Sequence, residues 1–314
     1  MGTRTVSSKY SRRRFLTTTA VAAAGYGLAA PALAQVHQAK AGTVRDRLWV
    51  FACPVNSDYP GLRVRSLMTP VESAFYLGIP NLIVVQWYPR AGEEGWWKAF
   101  ERPLEQYAIA MRPLKRVVWS VAGWGGATEE KERQEVLTMA RQNPNFVGGF
   151  LDDFFTGNSE GKLANLTLGE LEELRHQLQT PGKKLDLYVT LYVDQKFHNG
   201  QVDRPIADYL KLIDVLTLWT AGPEELVDLE ANLRKVEKLA PNSRKMLGCY
   251  VVDYDKKKST PVPAMKYQCE LGLRWLREGR IEGIIFLGNT TFDLNYEAVE
   301  WTRDWIEKVG DTKV

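Results

Sequence analysis

The chain has 314 residues, of which 45% are hydrophobic and 25% are charged, and its formal net charge is +3. This composition is typical of a globular protein, and the length fits one large α/β domain or two small ones. The three cysteines, Cys53, Cys249 and Cys269, exclude a disulfide framework, and we expect them to be reduced and buried.

Residues 1–34 have the three-part layout of an export signal. A basic start is followed by an apolar run over residues 15–33, and residues 32–34 (ALA) fit an A-x-A cleavage site. The segment 11–16 (SRRRFL) resembles the bacterial twin-arginine consensus S-R-R-x-F-L. The resemblance implies export by the twin-arginine translocation (Tat) machinery to the periplasm or the medium. Because Gly and Pro interrupt the apolar run before the cleavage site, we expect no stable membrane anchor.

Removing this segment changes the charge of the protein. Five of the 41 basic residues and none of the 38 acidic residues lie within residues 1–34, so residues 35–314 have a net charge of about −2. The basic character of the full chain therefore comes from its first segment, and we expect no nucleic-acid-binding face. We expect an irregular lead-in over residues 35–45 and a single domain over residues 46–314.

Eight strand–helix units follow in chain order. The strands are apolar almost throughout, as in parallel sheets covered on both faces. Among the helix signals, Thr167 and Glu170 form a capping box before an apolar-periodic run. The strands are predicted at residues 47–55, 81–88, 115–122, 146–154, 184–193, 214–220, 245–254 and 283–289, and the helices at residues 64–78, 95–111, 129–142, 168–178, 205–213, 223–239, 262–278 and 296–309.

This alternation predicts an α/β fold, the (β/α)8 TIM barrel. Strict alternation implies right-handed parallel crossovers, and eight units in about 260 residues match the usual size of a closed barrel. The alternative is an open doubly wound sheet, which normally has a Gly-rich turn after its first strand. Residues 53–56 (CPVN) do not form such a turn.

Working residues of such barrels lie at the C-terminal ends of the strands. There the sequence places large aromatics, whose flat faces pack against sugar rings, and polar side chains that hydrogen-bond sugar hydroxyls. The predicted substrate-binding residues are Gln86, Trp87, Tyr88, Trp124, Tyr192, Asp194, Trp219, Tyr254 and Asn289.

Three aspartates are the predicted catalytic residues. Asp152 and Asp153 end the fourth strand, and Asp253 ends the seventh, roughly across the barrel mouth. Successive side chains of a strand point to opposite sides, so at most one of the adjacent pair normally faces the mouth. Facing carboxylates suit glycoside hydrolysis, in which one is protonated and the other ionised. We expect His198, in the loop after the fifth strand, to be a surface residue.

The segment 148–153 (GGFLDD) at the end of strand 4 of an exported TIM barrel resembles glycoside hydrolases in outline, although the chain lacks the D-x-x-D-x-D-x-E run of chitinase-like barrels. The resemblance implies an enzyme acting on a carbohydrate without a cofactor or metal. One alternative is a sugar-acid lyase or isomerase whose aspartates hold Mg²⁺ or Ca²⁺. Another is a barrel that binds carbohydrate without turnover.

Overall fold

A computed structural model describes residues 42–55, 64–86, 99–122, 128–155, 162–180, 182–196, 198 and 200–314. Eight parallel strands close into a barrel in the order β1-β12-β9-β8-β7-β4-β3-β2, which confirms the predicted (β/α)8 fold. The barrel strands are β1 (Leu48–Ala52), β2 (Asn81–Val84), β3 (Arg116–Ser120), β4 (Phe146–Leu151), β7 (Asp186–Tyr192), β8 (Val215–Trp219), β9 (Arg244–Tyr250) and β12 (Gly283–Leu287).

Helices surround the barrel. The Thr167–Glu170 capping box is present, since each residue's side chain accepts a hydrogen bond from the other's backbone N–H, and Thr69 and Glu72 form a second one before α1. The helices are α1 (Pro70–Leu77), α2 (Glu105–Ala110), α3 (Glu130–Gln142), α4 (Leu168–Gln177), α5 (Ala207–Leu210), α6 (Leu229–Leu239), α7 (Val262–Arg277), α8 (Asn289–Phe292) and α9 (Glu297–Val309). None of those in the described ranges combines the length and apolar composition that crossing a membrane requires.

The seventh barrel strand is shorter than predicted. It ends at Tyr250, because Thr260 donates hydrogen bonds to the carbonyls of Tyr250 and Val251. The chain then forms a small antiparallel hairpin of β10 (Val252–Asp253) and β11 (Lys258–Ser259). The prediction of one strand over residues 245–254 was therefore wrong, and Asp253 lies in this hairpin. A second hairpin joins β5 (Gln179–Thr180) to β6 (Lys183–Lys184).

The core has two layers. Mainly aliphatic side chains fill the space between the strands and the helices, and a second cluster of aliphatic and large aromatic side chains fills the barrel interior. Trp219 is part of that interior cluster and is 1% exposed. Its indole packs against Gly248 so closely that a Cβ there would lie 2.3 Å from the ring. The absence of a side chain at Gly248 therefore leaves the space that the Trp219 indole occupies.

Candidate active site

Asp152 and Asp153 follow β4 directly and both lie at the barrel mouth. Phe150 belongs to the interior cluster and Leu151 to the outer layer, so alternation turns Asp152 inward. Asp153 departs from that pattern, because its backbone is left-handed, with φ of 50°. Its carboxylate is thereby brought to the hydroxyl of Tyr192, which is on β7. Both side chains therefore lie at the mouth, whereas strand alternation predicted that at most one of them would face it.

Each carboxyl of the pair has its own donor. The Thr190 hydroxyl donates to Asp152 at 2.8 Å, and the Tyr192 hydroxyl donates to Asp153 at 2.6 Å. Burial raises the pKa of Asp152 well above its usual range, and the Asp153 charge adds to this increase. Burial also raises the pKa of Asp153, but the Tyr192 hydrogen bond and the charge of His198 act against the increase. The two environments therefore favour proton retention at Asp152.

A third carboxylate, that of Asp194, is connected to the pair through His198 and Tyr192. The Asp194 side chain is fully buried, and its oxygens accept hydrogen bonds from the backbone of His198 and of Ala221 and contact the imidazole Nδ1. The imidazole stacks on the Tyr192 ring, with centroids 3.5 Å apart and planes at 6°. His198 was predicted to be a surface residue, and these two contacts leave its side chain partly buried, at 24% exposure.

Aromatic rings form the floor and one wall of the site. Phe51 and Tyr250 both make edge contacts with Trp219, at centroid distances of 5.6 Å and 5.2 Å. Tyr254 in turn contacts Tyr250 edge-on and is half-buried. Trp219 was predicted to line the rim, but it lies beneath it as a filler of the barrel interior.

Other predicted site residues are buried, and the side chains of two of them form hydrogen bonds within the protein. Asp253 is 2% exposed, and its carboxylate accepts hydrogen bonds from the backbone and the ammonium of Lys256. No contact recorded within the described ranges joins it to Asp152. Asn289 is fully buried, where its side chain bonds to both backbone groups of Cys53 and to the Met68 carbonyl. Gln86 is likewise buried, at 1% exposure.

Three of the predicted substrate-binding residues, Trp87, Tyr88 and Trp124, lie outside the described residues. Thr190, Tyr250 and His198 are site residues that the strand-end reading missed. Thr190 lies on a predicted strand two residues before Tyr192, and this even spacing is the signal that places both on the same face. Tyr250 ends β9, and because the chain leaves the strand there, its spacing from Tyr254 gives no such signal. For His198 the only signal is its position four residues after Asp194.

The chemistry of the site is that of carboxyl groups. The Cys53 thiol lies nearby, but burial and then the Asp152 charge raise its pKa well above the usual range, which leaves it protonated and weakly nucleophilic. Within the described ranges, no group of three or more His, Cys, Asp or Glu side chains is arranged to hold a metal ion. In this arrangement Asp152 can donate a proton while the neighbouring Asp153 is an ionised carboxylate.

A separate cavity of about 550 Å³ lies on the outer side of the barrel. Thr69 and Pro70 at the start of α1, Tyr107 and Met111 at α2, and Pro54 after β1 are among its lining residues. None of the residues that line it belongs to the carboxylate cluster.

Comparison with known proteins shows similarity in structure only. Neither a family model nor the sequence of a curated protein matches the chain. The spore cortex-lytic enzyme SleL of Bacillus megaterium QM B1551 is 10% identical, with a TM-score of 0.52 over 85% of this chain and 75% of that chain. YKL-39, solved in the presence of chitooligosaccharides, is 12% identical, with a TM-score of 0.51 over 82% of this chain and 98% of that chain.

A family GH18 chitinase from Cycas revoluta, solved in complex with allosamidin, is 14% identical, with a TM-score of 0.50 over 82% of this chain and 99% of that chain. At such low identity, the similarity establishes the fold. The chain has the TIM-barrel fold found in glycoside hydrolases.

Proposed function

We propose that this protein is a glycoside hydrolase-like enzyme that cleaves a carbohydrate by carboxylate acid/base chemistry at the C-terminal rim of the barrel. The observation that carries the proposal is the Asp152–Asp153 pair, in which two neighbouring carboxyls have different hydrogen-bond donors. Neighbouring carboxyls whose environments separate their pKa values are typical of acid/base catalysis. The fold is compatible with this reaction.

In the proposed reaction Asp152 is the general acid, because burial favours its neutral form. Its proton passes to the glycosidic oxygen while the bond between that oxygen and the anomeric carbon breaks. The Asp153 anion, held by Tyr192, stabilises the positive charge that develops on the sugar ring. Water then adds to the anomeric carbon, and the proton it loses returns to Asp152, which restores the starting state.

Oligosaccharides of N-acetylglucosamine are the first substrates to test, since YKL-39 was solved with such a ligand in a barrel of the same fold. We propose that two half-buried tyrosines contact the sugar: Tyr192, which donates to Asp153, and Tyr254, which packs against Tyr250. Trp87, Tyr88 and Trp124 stay predicted contacts because of their positions at the ends of predicted strands.

The test is release of reducing ends from a panel of N-acetylated and other polysaccharides. We expect Asp152→Asn and Asp153→Asn to abolish release while the circular dichroism spectrum is retained. Asp208→Asn is the matched control, because Asp208 is exposed on α5 and should leave the rate unchanged. Full activity in both site variants would overturn the proposal.

Two further outcomes of the same assay favour other functions. Loss of activity in EDTA, restored by Mg²⁺ or Ca²⁺, would favour the metal-dependent lyase or isomerase. Tight binding without turnover by the wild-type protein would favour a carbohydrate-binding barrel. Asp253→Asn should retain activity, since the Asp253 carboxylate is engaged by Lys256 in the β10–β11 hairpin.

We also propose that residues 1–34 are a cleaved twin-arginine signal and that the enzyme works in the periplasm or the medium. The support is the S-R-R-x-F-L match over residues 11–16, followed by the apolar run and the A-x-A site.

A further inference from the structure

The loop after β7 contains a hydrogen-bonded pair, Asp194 and His198, which the proposed reaction does not use. The imidazole Nδ1 lies 2.8 Å and 3.0 Å from the two carboxylate oxygens of Asp194. The Asp194 side chain is completely buried and that of His198 is 24% exposed. A buried carboxylate that already accepts backbone hydrogen bonds thus binds one edge of a partly exposed imidazole.

This contact determines where the imidazole has its proton. An ionised carboxylate can only accept hydrogen bonds, so Nδ1 is the protonated nitrogen in the neutral ring, and Nε2 has the lone pair. Such carboxylate–imidazole pairs fix both the tautomer and the orientation of the ring. Asp194 therefore holds the plane of His198 in one orientation.

The Tyr192 ring stacks on this oriented face of the imidazole. The two rings are stacked at 3.5 Å, and the Tyr192 hydroxyl donates to Asp153 at 2.6 Å. We propose that His198 is a positioning residue, which Asp194 orients and which holds the Tyr192 ring so that its hydroxyl donates to Asp153. The proposal of a role in turnover rests on the proposed function, whereas the contacts themselves do not.

Other titratable groups also face Asp153, and they limit what His198 alone can do. Asp152 lies beside it after the same strand, Tyr192 and His198 come from β7 and the loop that follows, and Tyr250 comes from β9. Among these, Tyr192 is the group that donates a hydrogen bond to the Asp153 carboxylate. His198 therefore acts on the pKa of Asp153 by two routes, directly through the charge of its imidazole and, in the proposal, through the position of the Tyr192 hydroxyl, and Tyr192→Phe removes the second route.

The first test is nitrogen-15 NMR of the imidazoles in the wild-type protein. The chain has only three histidines, and His198→Ala assigns the relevant signals. We expect neutral His198 to be the Nδ1–H tautomer and Asp194→Asn to remove that preference. The decisive spectrum is that of the wild-type protein, and His37→Ala and His176→Ala assign the His198 signals by elimination if His198→Ala does not fold. An Nε2–H tautomer in the wild-type protein would overturn the proposal.

The second test measures the pKa of Asp153 by carbon-13 NMR of labelled aspartate, with Asp153→Asn to assign the signal. Loss of a donor to a carboxylate raises its pKa, so Tyr192→Phe and His198→Ala should both shift the pKa of Asp153 upward. His176→Ala is the matched control, because His176 is exposed on α4. Because the imidazole charge also acts on Asp153 directly, His198→Ala is measured in the wild-type and in the Tyr192→Phe background, and its upward shift should be smaller in the second. An equal shift in the two backgrounds, or none in either, would show that the imidazole does not position the tyrosine.

A kinetic cycle then connects the positioning role to turnover. If His198 acts through the Tyr192 hydroxyl, kcat falls about tenfold or more in each single variant. The double variant Tyr192→Phe/His198→Ala should be no slower than the slower single variant, and multiplied losses would contradict the proposal. Absence of any hydrolysis by the wild-type protein would refute the proposed function, while the two NMR measurements would still decide the positioning role.

Discussion

Asp153 adopts a backbone conformation that few residues other than glycine tolerate, and that conformation shapes the site. Aspartate is among the few side chains found in the left-handed region. If Asp153 continued the strand, its carboxylate would point away from Asp152. Because the backbone turns at this residue, both carboxyls reach donors on β7, at Thr190 and Tyr192.

The burial of Asp152 has a consequence for stability. A carboxyl whose pKa is raised by folding destabilises the protein above its unfolded pKa, because the folded chain must bury a charge or take up a proton. Asp152→Asn removes this penalty and should raise the free energy of unfolding near pH 7 by about 1–2 kcal/mol. The gain should shrink as the pH falls toward about 4, the usual pKa of an unfolded aspartate, and vanish well below it, where the carboxyl is protonated in both states.

Thermal unfolding at pH 7 and at pH 4 measures this difference. Asp208→Asn, at an exposed position, should leave the midpoint unchanged at both pH values. A lower midpoint for Asp152→Asn at pH 7 would show that the ionised carboxylate stabilises the fold.

At the residue scale, the sequence pattern correctly placed Asp152, Asp153 and Tyr192 near the mouth, since all three end barrel strands. It could not show that Asp153 leaves the strand geometry, because a single φ angle decides this. The role of His198 was equally hidden, since the contact with Tyr192 depends on how the loop after β7 folds back.

At the scale of elements, the eight strand–helix units could be predicted because buried parallel strands and amphipathic helices differ in their hydrophobic period. The errors lie where side-chain hydrogen bonds override that pattern. Residues 245–254 are rich in apolar and aromatic side chains that favour strands, yet the Thr260 hydroxyl donates to the carbonyl of Tyr250 and β9 ends there. The hairpin that follows contains Asp253, whose carboxylate is bound there by Lys256.

The contact between β8 and β9 provides a test of the packing inside the barrel. Gly248→Ala would place a Cβ 2.3 Å from the Trp219 indole, so the ring or the strand must move. We expect a loss of about 1–3 kcal/mol in the free energy of unfolding, measured by urea denaturation. Adding Trp219→Phe, which shortens the obstructing ring, should recover part of that loss. An unchanged stability in Gly248→Ala would mean that the barrel interior is loosely packed.

At the scale of the whole molecule, charge is distributed unevenly along the chain. The basic excess is confined to residues 1–34, and the remainder is slightly acidic. This asymmetry fits an export signal on a domain that has no need of a basic surface.

Export can be tested without changing that charge. Replacing Arg12 and Arg13 together by Lys keeps every positive charge but removes the twin-arginine pair. We expect the double variant to stay in the cytoplasm with an uncleaved N-terminus, as measured by cell fractionation and N-terminal mass spectrometry. Arg4→Lys, outside the segment 11–16, should be exported normally. Equal export of the double variant would contradict the twin-arginine assignment.

The most direct test of the central claim compares two leaving groups. Asp152 as general acid is needed for a sugar leaving group but not for 2,4-dinitrophenolate, which departs without a proton. The test measures kcat/KM of wild type and Asp152→Asn on an oligosaccharide that the wild type cleaves and on the matching dinitrophenyl glycoside. We predict a loss of about 100-fold or more on the oligosaccharide and little loss on the dinitrophenyl glycoside. Equal losses on both substrates, or none on either, would contradict the role assigned to Asp152.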